Sequence, residues 1–165
     1  MKRILILISI IGVLWGMNCV ESNGKSVDNN EQQVYLQQVR EQNKLLIEAL
    51  DKFGANSKDK AILIYAEGIK ERSGPLQYSV MCKDLKKKFK QEMKDNNNYS
   101  WVTGYSSPWV KDYKVLCEKE NNDGSYDVII KFFWETSSGP FNESIIKLRL
   151  ISKNNIWCIV DIQDK

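Results

Sequence analysis

The stretch NNDGSYDVIIKFFWET, residues 121–136, decides the fold of this chain. Its Asn-Asp-Gly segment is typical of a tight β-hairpin turn. After the turn an apolar residue recurs at every second position, at Val128, Ile130, Phe132 and Trp134. Because side chains alternate between the two faces of a strand, these four share one face. The stretch therefore predicts a hairpin whose second strand runs over residues 125–136.

The flanking sequence extends this hairpin into a four-stranded antiparallel meander. Strand-like stretches at 109–119, 141–152 and 156–163 are separated by turn-forming residues. The predicted core-facing residues of the last two strands are Ile146, Leu148, Leu150, Cys158, Val160 and Ile162. One apolar face per strand is typical of a sheet that is covered on one side.

The sequence before the meander has helical periodicity. We predict an amphipathic helix over 31–53, a second over 57–73, and a third that begins at Pro75 and runs to about residue 94. Asn56 and Asp59 resemble a capping box. Helices followed by a meander predict an α+β fold, with one domain over residues 57–163.

This arrangement resembles the nuclear transport factor 2-like (cystatin-like) α+β cone. Two segments, YAEGIKERSGPLQY at 65–78 and WVTGYSSPWV at 101–110, are also similar to segments of uncharacterised secreted proteins and lipoproteins of Gram-positive bacteria. The resemblance implies an extracytoplasmic domain of that fold, and it brings no catalytic residues.

The N-terminus predicts export. Lys2 and Arg3 precede an apolar run over 4–17, too short to span a bilayer, so residues 1–18 are typical of a signal peptide. Cys19 stands where a bacterial lipoprotein receives its lipid. Residues 19–30 are then a flexible tether, and the expected location is the outer face of the cytoplasmic membrane. Cleavage after Ser22, giving a secreted protein, and an uncleaved anchor are the alternatives.

Composition excludes several functions. The chain has no histidine, so imidazole bases and histidine metal ligands are excluded. Without Lys2 and Arg3, 22 basic residues face 21 acidic ones, which offers no general field for nucleic acid. Cys82, Cys117 and Cys158 allow at most one disulfide and match no zinc pattern. We expect them to be unpaired and buried, and we expect no metal or cofactor.

Aromatic residues mark the predicted binding surface. This surface would be formed by Trp101, Tyr105 and Trp109 together with Tyr78 at the corner between two helices. Alternatively, these aromatic residues have a structural role and hold that corner and the segment before the first strand in place. The enzymatic alternative is an acid and a tyrosine, Tyr65 or Tyr78, in a pocket. Strand parity places the acids Asp127, Glu135 and Asp161 on the face away from that pocket. We therefore predict a non-enzymatic binding or accessory module.

Two further surfaces carry open alternatives. The basic patch of the third helix is a solvated face, or a contact for anionic lipid or wall polymer; it comprises Lys83, Lys86, Lys87, Lys90 and Lys94. The second face of the meander is either covered by the helix 31–53 or binds a partner, such as a cell-surface protein or a second copy. Its apolar residues are Ile129, Phe133, Ile145, Ile151, Trp157 and Ile159.

Overall fold

The computed structural model describes residues 29–164 and confirms the α+β fold. The predicted signal peptide, Cys19 and residues 19–28 of the tether lie outside the described residues. The chain forms two compact units, divided between Gln37 and Gln38. Of the first unit, only the helical residues 29–37 are described.

Four helices precede the sheet. They are α1 (Asn29–Lys52), α2 (Lys58–Lys70), α3 (Gly74–Ser79) and α4 (Lys83–Asp95). The N-cap of α2 is Ser57, whose hydroxyl accepts from the Lys60 amide at 3.2 Å, so the predicted Asn56 cap is wrong by one residue. Ser73 caps α3, and Pro75 lies in its first turn as predicted.

The predicted third helix is in fact two helices. The chain leaves the helical conformation at Val80 and lies beside the last strand, where Ile159 donates to the Val80 carbonyl and Cys82 donates to the Ile159 carbonyl, both at 2.8 Å. Val80 is fully buried. These strand-like bonds replace the helical ones, and α4 starts again at Lys83.

The sheet has the predicted order. Its strands are β1 (Trp109–Glu120), β2 (Tyr126–Thr136), β3 (Gly139–Lys153) and β4 (Ile156–Asp164), each antiparallel to the next in the order β1-β2-β3-β4. The core-facing residues of β2 and β3 are largely as predicted, since Val128, Ile130, Phe132, Leu148 and Leu150 are fully buried.

The predicted alternation of β4 is wrong over its first half. The register shifts by one residue opposite Arg149 and Leu150, so that Leu148 pairs with Ile162 but Leu150 pairs with Ile159. A bulge reverses which side chains face the core. Ile159 is therefore fully buried and Trp157 packs against the core, whereas Cys158 and Val160 do not face it.

The two segments that carry the family resemblance contact each other. Gly74 donates its amide to the Trp101 carbonyl at 2.9 Å, and a Cβ at Gly74 would lie 2.4 Å from that oxygen, so only glycine allows the approach. The side chain of Gln77 donates to the Gly68 carbonyl at 3.0 Å and to the Thr103 hydroxyl at 2.7 Å. The turn between α2 and α3 is thereby fixed to the segment that leads into β1.

Candidate functional site

The two tyrosines predicted for a pocket lie in the packed core. Tyr65 is 4% exposed, and burial raises the pKa of its hydroxyl. Tyr78 is fully buried, and its ring contacts the rings of Phe89 and Trp101 at centroid distances of 5.9 and 5.0 Å. The ring of Tyr78 thus lies among core side chains, whereas its hydroxyl donates to the carboxylate of Asp51 in α1.

The predicted aromatic surface is divided. Trp101 packs on Tyr78 and Phe89, whereas Tyr105 is 82% exposed in the segment before β1. Trp109 is half-buried at the start of β1, opposite Glu135 of β2. Within residues 29–164 no ring contact joins Tyr105 or Trp109 to Trp101. Trp101 and Tyr78 therefore belong together, and the other two aromatics do not join them.

One lysine of the predicted basic patch is buried instead of solvated. Lys86 is 5% exposed, and its ammonium group donates to the carbonyl oxygens of Leu50, Asp51 and Phe53 at 2.6, 3.3 and 3.1 Å. The last carbonyls of a helix lack partners within the helix. Lys86 therefore caps the C-terminal end of α1. Burial lowers the pKa of its ammonium group, and the nearby Asp51 partly opposes this effect.

A second lysine of the basic patch, Lys90, belongs to a polar cluster with Asp51 and Tyr78. The Lys90 ammonium lies 3.2 Å from the Asp51 carboxylate, which also accepts a hydrogen bond from the Tyr78 hydroxyl. Burial would raise the pKa of Asp51, but the bonds from Tyr78 and Lys90 outweigh it, so the pKa lies below its ordinary value. Asp51 is consequently a fixed anion, and it orients both partners.

A groove of about 800 Å³ opens above these residues, between the end of α1, the start of α4 and the turn between β3 and β4. We call it the lysine groove. Its charged lining residues are Lys52, Lys83, Lys86, Lys87, Lys90, Lys153, Asp51 and Asp84. Phe53, Met81 and Ile156 form apolar parts of its wall. Six cations thus face two anions in one concavity.

Four of those six lysines have no anionic partner in the part of the chain that the structure describes. Among residues 29–164, Lys52, Lys83, Lys87 and Lys153 form no ion pair, whereas Lys86 and Lys90 are held by α1. Lys94, also predicted for the patch, is exposed but does not line the groove. Sequence reasoning found the α4 lysines from their spacing. It missed Lys52, Lys153 and Asp51, because their proximity depends on the tertiary fold.

The groove is bordered by a disulfide that the sequence did not predict. Cys82 and Cys158 are bonded, so the expectation of unpaired cysteines is wrong for this pair. The reason is the break between α3 and α4, which brings Cys82 alongside β4. Cys117, on β1, is free and exposed instead of buried.

The outer face of the sheet differs from the groove. Several of its charges are paired: Asp127 accepts from Arg149 and Lys147, both at 2.8 Å, and Lys131 pairs with Glu143. The bonds from Arg149 and Lys147 hold the pKa of Asp127 well below its ordinary value. The apolar residues between these pairs, Ile129, Phe133, Ile145 and Ile151, are half-buried. The end of α1 contacts α3 and α4, so residues 50–53 do not cover this face.

A second groove, of about 650 Å³, lies between α1 and the segment after α4. We call it the apolar groove. It is lined by Asn43, Leu46, Ile47, Ala49, Leu50, Phe53, Pro75, Tyr99, Ser100 and Trp101. Trp101 therefore packs on the core rings of Tyr78 and Phe89 and also contributes to an open surface.

The described residues contain no group of side chains suited to hold a metal ion, and none of their helices is both long and apolar enough to cross a bilayer. The fold and these two grooves define the class as an α+β domain with surface concavities. No protein-family model and no curated protein sequence matches the chain.

Proposed function

We propose that this chain is an exported, membrane-anchored binding module without enzymatic activity, which takes a phosphate-rich anionic polymer of the cell envelope in the lysine groove. The observation that carries the proposal is the convergence of Lys52, Lys83, Lys87 and Lys153 without anionic partners in the described residues.

Unpaired lysines have an energetic cost. Lys83 and Lys87 are four residues apart on α4, and like charges at that spacing destabilise a helix by about 0.2–0.5 kcal/mol. A polyanion that lies along the groove would reverse the sign of this contribution. Apolar walls at Phe53, Met81 and Ile156 exclude part of the solvent and strengthen the attraction.

The chemistry of the groove favours binding over catalysis. Lys86 is the buried lysine, but its three N–H groups are directed at three carbonyl oxygens, so it has no lone pair for a nucleophilic role. Asp51 is a fixed anion with a lowered pKa, which makes it a weak base. Of the two tyrosines considered earlier, Tyr65 is buried in the core, and the hydroxyl of Tyr78 is held by the Asp51 carboxylate.

Export and anchoring rest on the N-terminal signal pattern and on Cys19. The Cys82–Cys158 disulfide supports the same location, because disulfides persist mainly outside the cytoplasm. The likeness to nuclear transport factor 2-like domains of Gram-positive lipoproteins stays a prediction. Intact mass of the membrane-extracted protein tests the anchor: a diacylglyceryl adduct on Cys19 is expected, and a soluble product starting near Asn23 would refute it.

Binding is tested with poly(glycerol phosphate) and the full chain in mild detergent. The groove variant replaces Lys83, Lys87 and Lys153 with Gln. The matched control replaces Lys60, Lys88 and Lys114, which are exposed lysines outside the groove lining, with Gln. We expect at least a tenfold loss of affinity in the groove variant, less than a twofold loss in the control, and binding that weakens with salt.

Equal losses in the two variants would show that only net charge matters and would overturn the groove. Two further ligands complete the test. Tighter binding to vesicles of anionic lipid, or to single-stranded DNA, than to the polymer would reassign the site to a membrane surface or to nucleic acid.

A further inference from the structure

A stripe along α1 is left open to solvent next to the apolar groove. Leu46 is 63% exposed and Phe53, just after the helix, is 45% exposed, although both line that groove. Tyr99, on the opposite wall, is 79% exposed. The surface is apolar, concave and incompletely covered by its own chain.

The stripe has the spacing of a coiled-coil seam. Val39, Asn43, Leu46, Leu50 and Phe53 follow one another at steps of four, three, four and three residues. This is the alternation of the a and d positions of a seven-residue repeat. In the sequence, Leu36 stands three residues before Val39 and continues the pattern. The same steps occur in helices that pack only on their own domain, so the polar member of the repeat decides what the stripe fits.

Asn43 indicates what kind of partner would fit the apolar groove. It occupies an a position among apolar neighbours, and it lines the groove. In a parallel pair of identical helices, the Asn43 amides of the two copies meet and can donate to and accept from each other. A single asparagine at such a position specifies a two-stranded pair in one register. An unrelated apolar partner would leave this amide without a hydrogen bond, at a free-energy cost.

We propose that α1 pairs in parallel with α1 of a second copy of this chain, with Asn43 against Asn43 and with Trp101 and Tyr99 flanking the pair. A stable interface needs about 800 Å² per partner. The open fractions of Phe53 and Tyr99 offer about 250 Å² if each ring supplies ~200 Å², and the seam leucines add to it. The outer face of the sheet is a weaker candidate, because ion pairs interrupt its apolar residues.

This dimer does not depend on the anionic ligand, since the two grooves share only Phe53 among their lining residues. It also suits the proposed anchor, because parallel helices direct both N-termini to the same end. A failure of polymer binding would leave the pairing unaffected, and the reverse holds as well.

Two adjacent leucines provide the matched test. Leu45 and Leu46 are 64% and 63% exposed, but only Leu46 lies in the seam. Sedimentation of the full chain in mild detergent should show a dimer. Leu46→Glu should weaken dimerisation at least tenfold, while Leu45→Glu should leave it within about twofold. A monomeric wild type, or equal effects of the two variants, would overturn the proposal.

Crosslinking tests the parallel register. In a Cys117→Ser background, Asn43→Cys should form an intermolecular disulfide on mild oxidation, whereas Glu48→Cys, on the opposite side of the helix, should not. A dimer in which Asn43→Cys fails to crosslink would overturn the parallel register. Dissociation by Phe133→Glu but not by Leu46→Glu would place the interface on the sheet.

Discussion

The lysines of the outer sheet face and those of the lysine groove differ in what surrounds them. On the sheet, Lys131 and Lys147 each contact a carboxylate of a neighbouring strand. In the groove, Lys83, Lys87 and Lys153 have no such partner among the described residues, although six lysines share the concavity. Within the described residues, the chain thus neutralises Lys131 and Lys147 on the sheet but not these three lysines of the groove.

This difference separates two uses of the same residue type. A paired lysine on a strand adds a small contribution to stability. An unpaired group of lysines lowers stability slightly and gains from an external anion. The groove also contains one lysine of a third kind, Lys86, whose hydrogen bonds all go to backbone carbonyls. The predictions below separate these uses.

The largest expected effect concerns the wall of the groove. Replacing Cys82 and Cys158 with Ser removes a crosslink between residues 76 apart and should lower the free energy of unfolding by about 3–4 kcal/mol. Replacing the exposed Cys117 on the sheet with Ser should change it by less than about 0.5 kcal/mol. Urea unfolding without reductant measures both. Equal losses of unfolding free energy in the two variants would show that the disulfide beside the groove stabilises the fold no more than the free cysteine on the sheet does.

Lys86 comes next. Lys86→Met keeps the apolar stem but removes the donor shared by three carbonyls at the end of α1, of which only that of Leu50 keeps another donor, the Phe53 amide, and we expect a loss of about 2 kcal/mol. Lys131→Met, on the outer face, should cost at most about 1 kcal/mol. Both are measured by urea unfolding at pH 7. A smaller loss for Lys86→Met than for Lys131→Met would contradict the capping role.

The ion pairs of the sheet should be visible in acid. The pKa of Asp127 is lower in the folded protein than in the unfolded chain, so its contribution is complete above the unfolded value of about 3.9 and is lost as pH falls below it. Asp127→Asn should cost about 1 kcal/mol at pH 7 and less at each step below about pH 4. A stability difference independent of pH from 7 to 2 would contradict this account.

The smallest effect has the opposite sign. The variant with Gln at Lys83, Lys87 and Lys153 should be as stable as the wild type without ligand, or more stable by up to about 0.5 kcal/mol, because like charges are removed. Lys147→Gln should lose about 0.5 kcal/mol, because the Asp127 carboxylate loses one of its two cationic partners. Unfolding curves at low salt show the contrast. A loss in the groove variant would mean that these lysines stabilise the fold.

Much of the fold could be predicted from local pattern. The hairpin turn at 121–124, the alternation of β2 and the proline in the first turn of α3 depend on neighbouring residues, and each is confirmed. Helix ends were predicted to within a few residues for the same reason. Where the prediction failed, a distant partner decided the conformation.

Two failures share a cause. The break at Val80 and the bulge in β4 both arise where residues 80–82 lie against β4, so that the hydrogen bonds of Ile159 replace the local preference. The same contact joins Cys82 to Cys158. Lys86 was misplaced for a related reason, since its spacing on α4 matches a solvated stripe and only the end of α1 buries it.

Only part of the candidate site could be predicted from the sequence. The α4 lysines were found as a charged stripe, but their partners in the groove come from α1 and from the turn after β3. The aromatic surface was predicted from residue type, and the structure brings Trp101 and Tyr78 together while leaving Tyr105 in solvent.

The Cys82–Cys158 bridge also has a consequence for a protein that meets proteases. The segment between α4 and β1 is accessible to cleavage, since Tyr99 and Tyr105 are largely exposed. A single cut there would separate the N-terminal helices from the sheet in sequence, but the bridge spans the cut and keeps the two pieces in one molecule. A nicked chain would therefore migrate as one species on a gel without reductant and as two with it, and the cut would not free the sheet from the N-terminal half.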